Sequence, residues 1–117
     1  MRNFKKYDIW KLSHQLTLEI YHITKNFPNS EKYQLISQMQ RAAYSIPSNF
    51  SEGAGRYSDK EFNRFIQISL GSAHELEYFI FLSKDLGYLD EIKFQELDNN
   101  INTLKKKIFS LSKKLTS

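Results

Sequence analysis

The chain has 117 residues, 40% hydrophobic and 26% charged, which suits one folded domain with a single core and excludes a disordered chain. Cysteine is absent, so disulfide frameworks, thiolate metal sites and cysteine nucleophiles are excluded, and only 2 prolines and 4 glycines disfavour a many-stranded β fold. A net charge of +4 with a pI near 9.2 permits a polyanionic partner without requiring one.

The start, Met1 to Lys6, is basic but no apolar run follows it, so no signal peptide is expected. A first helix is predicted from Asp8 to Asn26, with Ile9, Leu12, Leu16, Ile20, Ile23 and Phe27 at helical spacing. Phe27-Pro28-Asn29-Ser30 ends it, and Asn29 or Ser30 is a candidate cap for a second helix from Glu31 to Glu52. Pro47 lies inside that helix, where it removes one donor and crowds the Ala43 carbonyl, so a kink is expected. Gly53-Ala54-Gly55 is expected to stop the helix through a left-handed cap.

Ser58-Asp59-Lys60-Glu61 has the form of a capping box, with Ser58 as cap and Glu61 reaching back. The third helix then runs to Leu86, where Gly87 ends it, on a core stripe of Phe62, Phe65, Ile66, Ser69, Ala73, Leu76 and Ile80. Asp90 is the expected cap of a fourth helix whose seam, Phe94, Leu97, Ile101, Leu104, Ile108, Leu111 and Leu115, keeps a strict 3-4 spacing. Four long amphipathic helices on short connections predict a single domain over residues 1–117: an all-α, up-down-up-down antiparallel four-helix bundle with a Pro-kinked second helix.

The third helix carries more apolar surface than one stripe needs. At about 100° per residue, Ile68, Phe79, Leu82 and Leu86 fall on a second face, which predicts a homo-oligomer interface. The alternative is that the termini or a loop cover Phe79 and Leu86. The longest apolar run, Tyr78 to Leu82, is far short of the roughly 20 residues that span a bilayer. No membrane association and a cytoplasmic location are therefore expected.

The antiparallel topology sorts charge by end. The end holding the N-terminus, the second connection and the C-terminus carries nine cations (Arg2, Lys5, Lys6, Lys11, Arg56, Lys60, Arg64, Lys113 and Lys114) against four carboxylates. Lys105, Lys106 and Lys107 extend this surface along the fourth helix, which has no acid after Asp98. Lys5, Lys6, Arg56, Lys60, Arg64, Lys113 and Lys114 are the candidate nucleic-acid contacts, with Tyr57 a possible stacking surface beside Arg56. The competing reading is that lysines in a last turn oppose the helix dipole and aid solubility.

Enzymatic chemistry is mostly missing. Glu19-x-x-His22 has the spacing of a di-iron carboxylate motif, but those sites need two such motifs and two further glutamates, and only one copy is present. No Walker loop, dinucleotide fingerprint or nucleophile elbow occurs. The expectation is a non-enzymatic protein without metal or cofactor.

On the second helix, Gln34, Gln38, Arg41, Ser45, Asn49, Glu52 and Arg56 form a polar row at steps of three and four. One reading makes Arg41, Ser45, Asn49, Glu52, Arg56 and Glu75 a structural network: Glu52 pairs with Arg56, Asn49 and Ser45 serve backbone groups near Pro47, and Arg41 reaches Glu75. The other puts Arg41 and Arg56 on a phosphate-gripping surface.

The chain resembles the four-helix-bundle proteins encoded in intervening sequences of bacterial 23S ribosomal RNA genes, the S23 family. The likeness rests on Trp10-Lys11, Phe27-Pro28 with Glu31, Gln38, Arg41-Ala42-Ala43, Ser45-Ile46-Pro47, Asn49, Glu52-Gly53, Gly55-Arg56, Phe62, Phe65, Gly71-Ser72, Glu75-Leu76 and Leu86-Gly87-Tyr88. It implies a ring-like homopentamer. It also implies kinship with accessory proteins of diversity-generating retroelements, similar pentamers that bind nucleic acid and a reverse transcriptase. It carries over no catalytic residues.

Overall fold

The computed structural model describes residues 2–117. Four long helices, α1 (Asp8–Thr24), α2 (Ser37–Ala54), α3 (Asp59–Asp85) and α4 (Glu91–Thr116), pack as an up-down-up-down bundle of 43 × 24 × 20 Å, with no strand among the described residues. A short 3-10 turn, Phe4–Lys6, precedes α1. The α2–α3 and α3–α4 contacts are extensive, while α1 and α4 touch more sparingly.

The core follows the heptad-like seams. Ile20, Met39, Ile46, Phe50, Phe62, Ile66, Leu76, Ile80, Leu97, Ile101, Leu104 and Ile108 are fully buried, and Leu111 and Leu115 pack half-buried at the end of the α4 seam. Beneath the end that holds both termini, Tyr7, Phe50 and Phe62 meet edge to face at 5.1–6.1 Å. Buried hydroxyls all find partners: Ser69 donates to the Ile46 carbonyl, and Ser112 donates to Asn63 while accepting from Gln67. Because these bonds are directional, they fix the register of α3 on α2 and α4 where apolar contact alone would let it slide.

Three local expectations change. The second helix does not begin at Glu31: a 3-10 turn (Asn29–Glu31) and a π-helical turn (Lys32–Ile36) lead into α2, and neither Asn29 nor Ser30 supplies a side-chain cap. The entry is instead held from outside, by the Tyr88 hydroxyl donating to Glu31 at 2.9 Å and by Phe27 packing on Tyr88. Gly53-Ala54-Gly55 adopts no left-handed conformation; Gly55 closes α2 at φ −82°, and the positive-φ cap belongs to Gly87, at +81°, behind α3. Ser58 caps α3 through the Glu61 N–H, but the Glu61 carboxylate turns to Arg64 rather than back to the cap. The Asp90 cap of α4 forms as expected, accepting from the Lys93 N–H at 2.7 Å.

Helix α2 continues through Pro47. The missing N–H leaves the Ala43 carbonyl without its helical donor, and the buried Thr17 hydroxyl on α1 reaches it at 3.1 Å while also lying 2.8 Å from the Ser13 carbonyl. Thr17→Val is expected to lower stability by about 1–2 kcal/mol, because it strands a buried acceptor. In a Pro47→Ala background the new N–H at position 47 serves Ala43, and the same change should cost about 1 kcal/mol less. A urea double-mutant cycle measures the difference; equal losses in both backgrounds would show that Thr17 does not compensate for the proline.

Candidate nucleic-acid interface and oligomer face

The folded chain brings the N-terminus, the α2–α3 connection and the end of α4 together. Arg2 ties the first two: its guanidinium donates to the Arg56 carbonyl at 2.7 Å and to Asp59 at 2.5 Å, and it lies 4.5 Å from the Phe62 ring centroid. Counting Arg2 as an available positive charge therefore overstated the basic end; it is a clamp. Arg56 pairs with Glu52 at 3.1 Å and Arg64 with Glu61 at 3.4 Å, and both guanidinium groups lie 4.8 Å from the Phe65 centroid. These exposed pairs contribute little stability, but stacking on Phe65 fixes two arginines on one small patch.

Lys5, Lys6, Lys60, Lys113 and Lys114 are exposed and pair with no carboxylate among the described residues. Lys113 lies over Phe109 at 5.4 Å. Lys114 lines a groove of about 500 Å³ between the start of α1 and α4, together with Lys106 and Lys107. Those two lysines were visible as a sequence run; their convergence on Tyr7 and Asp8 across the groove requires the α1–α4 packing.

The opposite end is organised differently. Lys93 sits between Glu19, at 2.9 Å, and Glu96, at 3.0 Å, and these two hydrogen bonds hold its pKa above the ordinary lysine range. Glu19, the acid of the Glu-x-x-His spacing, is thus engaged by a lysine, and no group of three or more His, Asp or Glu is placed to hold a metal among the described residues. Midway along the bundle Lys105 meets Glu77 at 2.6 Å, which holds the Glu77 carboxyl below the usual range.

Within the polar row, Ser45 and Arg56 reach α3, while Gln34, Gln38 and Arg41 are exposed. The Ser45 and Ser72 hydroxyls are hydrogen-bonded to each other, and Asn49 donates to the Ser45 carbonyl at 2.8 Å. The expected Glu52–Arg56 pair is present. The expected Arg41–Glu75 pair is not: both side chains are exposed and neither has an ion-pair partner among the described residues. The carbonyl orphaned by Pro47 is served by Thr17, across the α1–α2 contact, rather than by Ser45 or Asn49.

Of the residues predicted on the second face of α3, Ile68 and Leu86 are 42% and 47% exposed, while Phe79 and Leu82 are half-buried against the core. Tyr78 and Phe81 are exposed on the same helix, Phe81 leaning edge-on to Phe94 of α4. On the α1 and α2 side Leu18, Tyr21 and Tyr44 are also exposed, and sequence periodicity had not singled them out. Gly71 opens onto space, with nothing within 4 Å of a Cβ built there.

These features define an all-α bundle with a lysine-rich end and apolar surface outside its core. The chain belongs to the 23S rRNA-intervening sequence protein family, whose model matches residues 5–110. A solved structure from Bacteroides thetaiotaomicron, a protein of unknown function from the S23 ribosomal protein family, shares the fold, with a TM-score of 0.82 at 24% identity over 90% of this chain and 95% of that one. No curated protein matches the sequence. No described helix is long and apolar enough to cross a membrane.

Proposed function

We propose that this protein is a non-enzymatic, cytoplasmic homo-oligomer that binds RNA or DNA through the lysine-rich end of its bundle. The observation that carries the reading is the asymmetry between the two ends: among the described residues Lys5, Lys6, Lys60, Lys113 and Lys114 have no carboxylate partner at one, whereas at the other Lys84 and Lys93 are paired and only Lys25 and Lys32 are not. Unpaired lysines on a rigid end repeat once per subunit in a symmetric assembly, which supplies many phosphate contacts at once. A ring-like pentamer is the assembly that the family resemblance implies, and a bend at Pro47 is part of the geometry it would use. The same kinship makes a reverse transcriptase the candidate protein partner.

Mixed-sequence RNA and DNA oligonucleotides titrated at 50–200 mM salt test the reading, where several contacts predict a steep loss of affinity with log salt, on the order of 10³-fold or more for six phosphate contacts. Lys113→Glu with Lys114→Glu should weaken binding on all sequences alike, because phosphate contacts position without reading bases. Lys25→Glu with Lys32→Glu, at the far end, is the control. Equal losses from both pairs, or no binding at the lowest salt, favour an oligomeric protein scaffold whose lysines only aid solubility.

A further inference from the structure

The α2–α3 connection holds an aromatic side chain that the fold does not use. Tyr57 is 100% exposed, yet the backbone on both sides of it is fixed. The Arg56 N–H bonds the Gly53 carbonyl at 3.0 Å, Arg2 holds the Arg56 carbonyl at 2.7 Å, and Ser58 caps α3. The ring therefore stands out from a braced turn rather than a loose one. Beside it lies a recess of about 570 Å³ lined by Arg2, Gly55, Arg56 and Tyr57. Arg56 is oriented by its stacking on Phe65, and Lys60 stands in the first turn of α3 without a carboxylate partner among the described residues.

Full exposure of a tyrosine leaves both ring faces in water, with no packing to offset the apolar area. An aromatic face next to fixed cations has the chemistry that accepts an unstacked base and its phosphate. Bases within a duplex are stacked on each other and cannot lie flat on a protruding ring. The geometry points to Tyr57 as a base-stacking platform that makes the lysine-rich end prefer single-stranded nucleic acid over duplex. The inference rests on the nucleic-acid reading above and adds the strand form and the residue that selects it.

Fluorescence anisotropy on the full chain tests it, with unstructured single-stranded RNA, single-stranded DNA and duplex DNA of equal length, and with polyphosphate as a probe that has no bases. Wild type should bind the single strands more tightly than the duplex. Tyr57→Ala should weaken single-strand binding by about 5- to 100-fold, leave duplex and polyphosphate binding within about twofold, and keep the salt slope, since no phosphate contact is removed. Tyr57→Phe should retain the single-strand affinity. A loss shared by both single strands supports stacking on any base, and a loss on RNA alone supports the platform and names RNA as its ligand. Duplex binding equal to single-strand binding, or a Tyr57→Ala protein indistinguishable from wild type on every probe, overturns the platform while leaving the basic end as the binding surface. No binding of any probe overturns both readings. Circular dichroism checks that the substituted proteins keep the wild-type helix content, as full exposure of the ring leads one to expect.

Discussion

Gly53→Ala is expected to unfold the bundle more readily than any other single added methyl on a glycine of this chain. A Cβ at position 53 would lie 2.6 Å from the Phe65 Cβ, 3.1 Å from the Phe62 Cδ1 and 3.2 Å from the Phe62 carbonyl oxygen. The nearest atom is bonded directly to the α3 backbone, so no rotamer change relieves the clash and the two helices must separate. Overpacking of this kind costs about 3 kcal/mol at the upper end of its usual range, and the helix propensity gained by replacing glycine returns about 1. A net loss near 2 kcal/mol is expected in urea unfolding. Gly71→Ala is the matched comparison, because nothing lies within 4 Å and the same propensity gain of about 1 kcal/mol stands alone. Within the subunit, then, the two substitutions should move stability in opposite directions. A Gly53→Ala protein within 0.5 kcal/mol of wild type would show that α2 and α3 separate without penalty. Moving α2 away from Phe65 also shifts Arg56 relative to the ring it shares with Arg64, so on the proposed function nucleic-acid affinity should fall with stability.

Gly53 illustrates where local reading of the sequence stops. A glycine near a helix end supports two explanations, a left-handed turn or a close approach, and the residue that decides between them, Phe65, stands on another helix. Ser58, Asp90 and Gly87 were legible because each acts on a partner within a few residues along the chain. The four helices were legible for the same reason: the spacing of Ile9 to Ile23 or of Phe94 to Ile108 is written in consecutive turns. The start of the second helix was not, because a π turn over Lys32–Ile36 is set by what surrounds it, including the contact of Tyr88 with Glu31, 57 residues away.

The candidate sites divide along the same line. The position of Pro47 in the sequence singled out the Ala43 carbonyl, yet the hydroxyl that covers it, Thr17, is an unremarkable threonine until α1 is laid beside α2. Sorting charges by bundle end located the basic surface, because topology alone determines which ends meet. It could not separate Arg2, which is a brace between Arg56 and Asp59, from Lys113 and Lys114, which are exposed and pair with no carboxylate among the described residues. Charge counts describe a field; whether a given cation is available to a partner depends on the hydrogen bonds it has already made.

If the protein assembles as proposed, replacing Ile68 and Leu86 together with aspartate is expected to dissolve the oligomer into single 13.9 kDa chains without unfolding them. Both side chains are close to half exposed within the subunit, so a carboxylate at either position remains hydrated in the monomer. The two residues of this face that lean on the core, Phe79 and Leu82, are the wrong choice for such a test: a charge there would be partly buried, and lost folding would imitate lost assembly. In an interface the same two aspartates would be desolvated and would meet apolar surface, at a cost of several kcal/mol per buried charge, enough to move a micromolar oligomer to monomer. Light scattering gives the mass, and circular dichroism with urea unfolding shows whether the subunit is intact. The dissociated protein should also bind nucleic acid with a shallower salt dependence, because each copy then brings one lysine-rich end instead of several. A wild-type mass of a single chain at micromolar concentration would refute the oligomer outright, and Tyr78, Phe81, Ile68 and Leu86 would then be surface residues awaiting a different partner.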